Sequence, residues 1–136
     1  MRKLTLLLTL IFFSVMFSST SFAGWKEVSE DVRGNTFYVD FESIKKHDGY
    51  VYYWHLADYL KPGEYGTLSS KTYTQGDCKK FRYKNLSTSY HKEPMGGGTG
   101  EISNALDKEW TYPPPDTVIE TILKSVCQYA NRWWGK

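Results

Sequence analysis

The sequence is poor in the residues that most chemistry needs. Its 136 residues hold two cysteines, Cys78 and Cys127, and three histidines, His47, His55 and His91. None of these sits at a zinc-ligand spacing, and two cysteines joined to each other cannot serve as ligands, so no metal is expected. No Gly-x-Ser-x-Gly elbow frames a serine. The glycine-rich stretch 96–100 lacks the Gly-Lys-Ser/Thr of a phosphate-binding loop and reads as a flexible turn. No catalytic residue or cofactor is therefore expected, although sequence does not resolve the paired carboxylates of a glycosidase. Charge of one sign is missing too. Lys and Arg total 17 against 15 Asp and Glu, and residues 1–23 contain Arg2 and Lys3 but no acid. Residues 24–136 are then formally neutral, which gives a nucleic-acid partner no electrostatic footing.

Only one long apolar run is present, residues 4–17, interrupted by Thr5, Thr9 and Ser14. It follows the positive head of Arg2 and Lys3 and leads into Ser21-Phe22-Ala23. That order is a secretory signal, with small residues at the −3 and −1 positions of a cut before Gly24. At about 14 residues the run is short of the roughly 18–20 that span a bilayer, so no membrane anchor is expected. Residues 1–23 are read as a signal peptide and 24–136 as one exported domain, periplasmic or secreted.

What is abundant is aromatic: 17% of the chain, with eleven tyrosines. Tyrosine favours half-buried strands and wet interfaces. Residues 25–32 and 36–41 flank the turn signal Arg33-Gly34-Asn35 and read as a hairpin. Residues 42–46 read as one helical turn. Residues 50–60 are the strongest strand, apolar on both faces and hence central. Further strands are expected at 67–74 and 79–89, with a turn at 75–77, and a last one at 106–112 before three prolines. Apolar residues at 118, 119, 122, 123, 126, 127 and 130 form one helical stripe, with Lys124 and Gln128 facing away. Thr117 and Glu120 give it a capping box, with Asp116 as a competing cap. Strands followed by one helix imply an α+β domain, an antiparallel multi-stranded sheet with a C-terminal helix packed on one face.

In an exported chain an even cysteine count points to pairing. A Cys78–Cys127 bond would join the helical stripe to a strand end. Closing that 49-residue loop is worth up to about 4 kcal/mol on chain entropy.

Two features point to binding. Lys80, Arg82 and Lys84 alternate with Phe81 and Tyr83, so on a strand the cations share a face. Such a ridge suits anionic glycans, lipid headgroups or an acidic protein; the plain alternative is a solvated sheet face. One helix hides one side of a sheet, so Tyr53 and Tyr59 on the central strand are expected to meet another subunit, as in a homodimer, or to lie under loops.

Trp25, Phe37-Tyr38-Val39-Asp40, Ser43-Ile44, residues 54–59, Ser69-Ser70-Lys71, Cys78, Tyr90, Met95-Gly96-Gly97-Gly98, Trp110 and Cys127 occur in an order that resembles the surface-adhesin protein E family of Gram-negative bacteria. The resemblance implies an antiparallel sheet with a C-terminal helix tied on by a disulfide, and a tendency to dimerise. It also implies adhesion to host extracellular-matrix proteins such as vitronectin and laminin. The sequence departs in having no lipid-accepting cysteine at the expected cut. The first reading is thus a binding domain for host-matrix proteins or an envelope component, and the alternative is a structural or stress-related periplasmic protein without an extracellular ligand.

Overall fold

The computed structural model describes residues 24–134; the expected leader, residues 1–23, lies outside them. Seven strands are described: β1 (Trp25–Glu30), β2 (Thr36–Asp40), β3 (Lys45–His47), β4 (Tyr50–Asp58), β5 (Ser69–Asp77), β6 (Arg82–His91) and β7 (Glu101–Ser103). One helix follows, α1 (Val118–Trp134). All pairings are antiparallel, in the order β1-β2-β4-β5-β6-β7, with β3 paired to the start of β4. The α+β architecture read from the sequence is the one observed.

The first hairpin closes where Arg33-Gly34-Asn35 places it. Asp31 holds that turn, its carboxylate accepting from the amides of Arg33 and Asn35 and from the Asn35 side chain. Central β4 is flanked on one side by β5 and on the other by β2 and β3. At the front of α1, Thr117 Oγ1 accepts from the Glu120 amide while Glu120 reaches back to the Asp116 amide. Thr117 rather than Asp116 is therefore the cap, and Glu120 reaches one residue past it, to the Asp116 amide instead of the cap's own amide that a full capping box uses.

Three expectations are corrected. The helical turn at 42–46 is a single 3₁₀ turn, Phe41–Ser43, and the chain then extends into β3. Residues 75–77 lie inside β5, and the chain turns at 78–81. There Asp77 Oδ1 accepts the Lys79 and Lys80 amides, so the aspartate and not the glycine marks the reversal. Residues 106–112 form no strand. The segment touches the β6 edge through Thr111 with Tyr83 and Asp107 with Asn85, and three prolines then end its supply of donors.

Helix α1 lies across β1, β2 and β4. Its buried stripe of Ile122, Leu123, Val126, Cys127 and Ala130 meets Val39, Ile44, Val51 and Tyr53 in one core. Lys124 and Gln128 face solvent as the periodicity requires. Each fully buried large apolar side chain stabilises this layer by about 1.5–3 kcal/mol. Cys78, just past β5, is bonded to Cys127 with their Cα atoms 5.6 Å apart. The tie therefore joins the turn end of the sheet to the middle of the helix. Among the described residues the other face of the sheet carries no α-helix.

Candidate functional site

Strand register decides what that open face displays. Side chains of paired residues point the same way, and parity alternates along each strand. Across the end nearest the β5–β6 turn, one row reads His47, Tyr50 and, on the next strands, Asp77 and Arg82; the row below reads Lys45, Tyr52, Gln75, Lys84. Below these come Trp54, Tyr73 and Ser87, then Leu56, Lys71, Ser89 and Ile102. A register shift in β6 opposite Tyr73 and Thr74 keeps both halves of that strand in phase with the face.

Rings and cations interlock here. Tyr52 stacks on Tyr73 with centroids 6.2 Å apart, and Trp54 packs on Tyr73 at 4.9 Å. Trp110 folds over the sheet against Tyr50 at 5.3 Å. Its ring also sits 4.4 Å from the Arg82 guanidinium carbon and 4.9 Å from Lys84 Nζ. Arg82 is spent internally, its Nε donating to Asp77 at 2.9 Å. Burial works to raise the Asp77 carboxyl, but the Arg82 hydrogen bond and the Lys80 and Lys79 amides outweigh it and hold the group below its usual value. Lys45, Lys71 and Lys84 make no ion pair among the described residues. The face is therefore cationic, with a half-buried aromatic floor.

Of the cations singled out in the sequence, Arg82 and Lys84 do share this face. Lys80 does not, because β6 begins at Arg82 and Lys80 lies exposed in the turn. Phe81 has left-handed φ of 51° in that turn, while Tyr83 points to the helix side. Lys45, His47 and Trp110 belong to the face and went unread. The signal for the first two was Asp48-Gly49, a two-residue hairpin loop with both φ angles positive, which makes the preceding three residues a strand.

A basin of about 360 Å³ continues the face toward the glycine-rich loop, lined by residues that include Trp54, Lys71, Ser89 and His91. His91 is 4% exposed. Its Nδ1 lies 3.1 Å from the Gly97 carbonyl, which can only accept, so Nδ1 carries the proton and Nε2 accepts from the Ser89 hydroxyl at 2.8 Å. This is the hydrogen bond of a nucleophile and its base. The histidine's packing is that of a clamp, however: a Cβ on Gly100 would lie 2.5 Å from its Cε1. Asp58 and Ser69 pin the same loop, accepting from the amides of Met95 and Gly96, so the stretch expected to be flexible is tied down.

The interface expectation divides. Tyr53 is 0% exposed beneath α1 and cannot meet another subunit as folded. Its hydroxyl has no hydrogen-bond partner among the described residues, and burial, with Tyr83 nearby, drives its pKa upward. Tyr59 remains partly exposed and pairs with Ser70. On the same helix-side face His55 Nε2 lies 3.1 Å from Thr74 Oγ1, whose own proton goes to Asn85. That assigns the donor to His55, which bonds a hydroxyl and not a carboxylate. No cluster among the described residues gathers three metal-ligating side chains.

The sequence matches the family described as surface-adhesin protein E over residues 25–128. Solved structures of Haemophilus influenzae protein E share the fold. Crystal form II aligns with a TM-score of 0.62 at 20% identity, covering 84% of this chain and 91% of that one. A second structure of the same protein gives 0.62 at 18% identity over 82% and 89%. Protein E from a non-typeable strain gives 0.59 at 18% over 85% and 82%. No curated protein matches the sequence.

Proposed function

The chain belongs to the surface-adhesin protein E family, and from that premise we propose that it is an exported binding protein whose recognition surface is the open face of the sheet. The observation that carries this reading is the content of that face. Lys45 and Lys84 make no ion pair there among the described residues, Trp110 lies over Lys84, and no helix among the described residues covers that face. A neutral domain that gathers unneutralised cations around half-buried rings has built an interaction surface rather than a solvated one. The partner class that fits is a macromolecule of the host matrix or of the cell envelope. No helix among the described residues is long and apolar enough to cross a membrane. The Ser69, His91 and Asp58 contacts serve to hold the glycine-rich loop beside the face. Self-association, on this reading, leaves the sealed Tyr53 untouched.

The test has two arms. Protease treatment of intact cells should digest the chain, and the oxidised protein should bind immobilised matrix proteins or an isolated envelope fraction. Protection from protease, with no binding to either surface, returns the alternative of a structural or stress-related periplasmic protein.

A further inference from the structure

The row Lys45, Tyr52, Gln75, Lys84 crosses four strands on the open face, each residue directly paired with the next. Three strand spacings separate the two lysines, about 14 Å between their backbones. Between them lies a floor of fixed shape. The Gln75 amide donates to the Tyr52 hydroxyl at 3.2 Å, and Tyr52 and Tyr73 hold each other. Rings already immobilised against one another lose little entropy when a ligand arrives.

From this geometry we infer that the row binds a sulfated polysaccharide chain laid across the strands, its sugar rings on Tyr52 and its neighbours and its sulfates at Lys45 and Lys84. The inference rests on the reading of this face as the recognition surface and names its ligand class. Two observations select that class. First, the cations left without an ion pair on this row are the ammonium groups of Lys45 and Lys84, since Arg82 Nε donates to Asp77. They stand at the two ends of the row, a spacing that suits charges carried at intervals along a chain rather than one anionic headgroup. Second, the row sets rings between its cations, which suits an extended chain whose sugar C–H faces pack on aromatic rings while its hydroxyls reach Gln75.

Lys46 supplies the internal control. It neighbours Lys45 and is equally exposed, but it pairs with Val51 and so points to the helix side. The experiment uses the full chain, exported and purified with its disulfide formed, and size-defined heparin fragments as the probe. Binding should occur to heparin and not to dextran, and should weaken with added salt as counterions compete. Lys45→Gln with Lys84→Gln should weaken it at least tenfold at unchanged melting temperature, and Lys46→Gln should change it less than twofold. If the double variant does not fold, Lys45→Gln alone is the readout, since that side chain is exposed and unpaired. No heparin binding, or equal loss from Lys46→Gln, overturns the inference. So does equally tight, equally lysine-dependent binding of polyglutamate, oligothymidylate or phosphatidylglycerol vesicles. Heparin binding lost while matrix-protein binding survives removes this ligand class alone. Heparin binding by a protease-protected chain that ignores matrix and envelope removes the adhesin reading alone.

Discussion

Gly76 sits where α1 comes down onto the sheet. A Cβ there would lie 2.9 Å from Val51 Cγ2 and 3.0 Å from Leu123 Cδ1, with Tyr53 close behind. Gly76→Ala should cost about 1–3 kcal/mol in urea unfolding, because neither core neighbour can retreat without opening the layer. The same glycine misleads a reader of the sequence. Beside Asp77 it looks like a turn, whereas its role is close approach within a strand, and nothing local distinguishes the two. His55 makes a second prediction. Its ring is only partly exposed, and burial lowers its pKa from 6.5 to about 4. Between those values the unfolded chain binds the proton and the folded chain does not, so stability should fall as pH drops from about 6.5 toward 4. The loss is at most about 3 kcal/mol, less whatever solvent reaching the ring recovers. Urea melts of the native protein and His55→Gln between pH 7 and 4.5 should converge as the pH falls. Parallel curves would remove His55 as the cause.

At the scale of elements, reducing the Cys78–Cys127 bond should lower stability by up to about 4 kcal/mol. The stripe of α1 would still match its bed on β1, β2 and β4, so the comparison to make is urea unfolding with and without dithiothreitol at matched pH. An unchanged midpoint would show that packing alone seats the helix. This element was legible because its period, cap and cysteine agree: Thr117, Glu120, the stripe and Cys127 all fix the same register. The hairpin from β3 to β4 was not, although Asp48-Gly49 announces it, because Glu42 to Lys46 carry helix-compatible side chains and the strand is only three residues long. Residues 106–112 failed in the other direction. Their apolar content suits a strand, but only Thr111 and Asp107 exchange backbone bonds with β6, and Trp110 is drawn over Arg82 and Lys84 instead.

For the whole molecule, the fold follows from hydrophobic period and punctuation, whereas the face depends on register. Alternation along β6 was readable, so Arg82 and Lys84 were found together. That Lys45 joins them depends on which residues of β3, β4, β5 and β6 stand opposite one another, and pairing across strands is not written in any one segment. Export adds a prediction at the same scale. The intact mass of protein recovered outside the cytoplasm should correspond to a chain that begins at Gly24 and has lost the two protons of its thiols. A mass that retains residues 1–23 would return the chain to an uncut leader and leave the disulfide without its oxidising compartment.

The last described element packs on the first. Helix α1 rests on β1, whose opening residue is Trp25, and the Cys78–Cys127 bond holds the helix where it docks. On the proposed export route, a chain threaded N-terminus first through a pore would lack this lid until its tail emerged. The sulfur bond would then be a latch set behind the final turn.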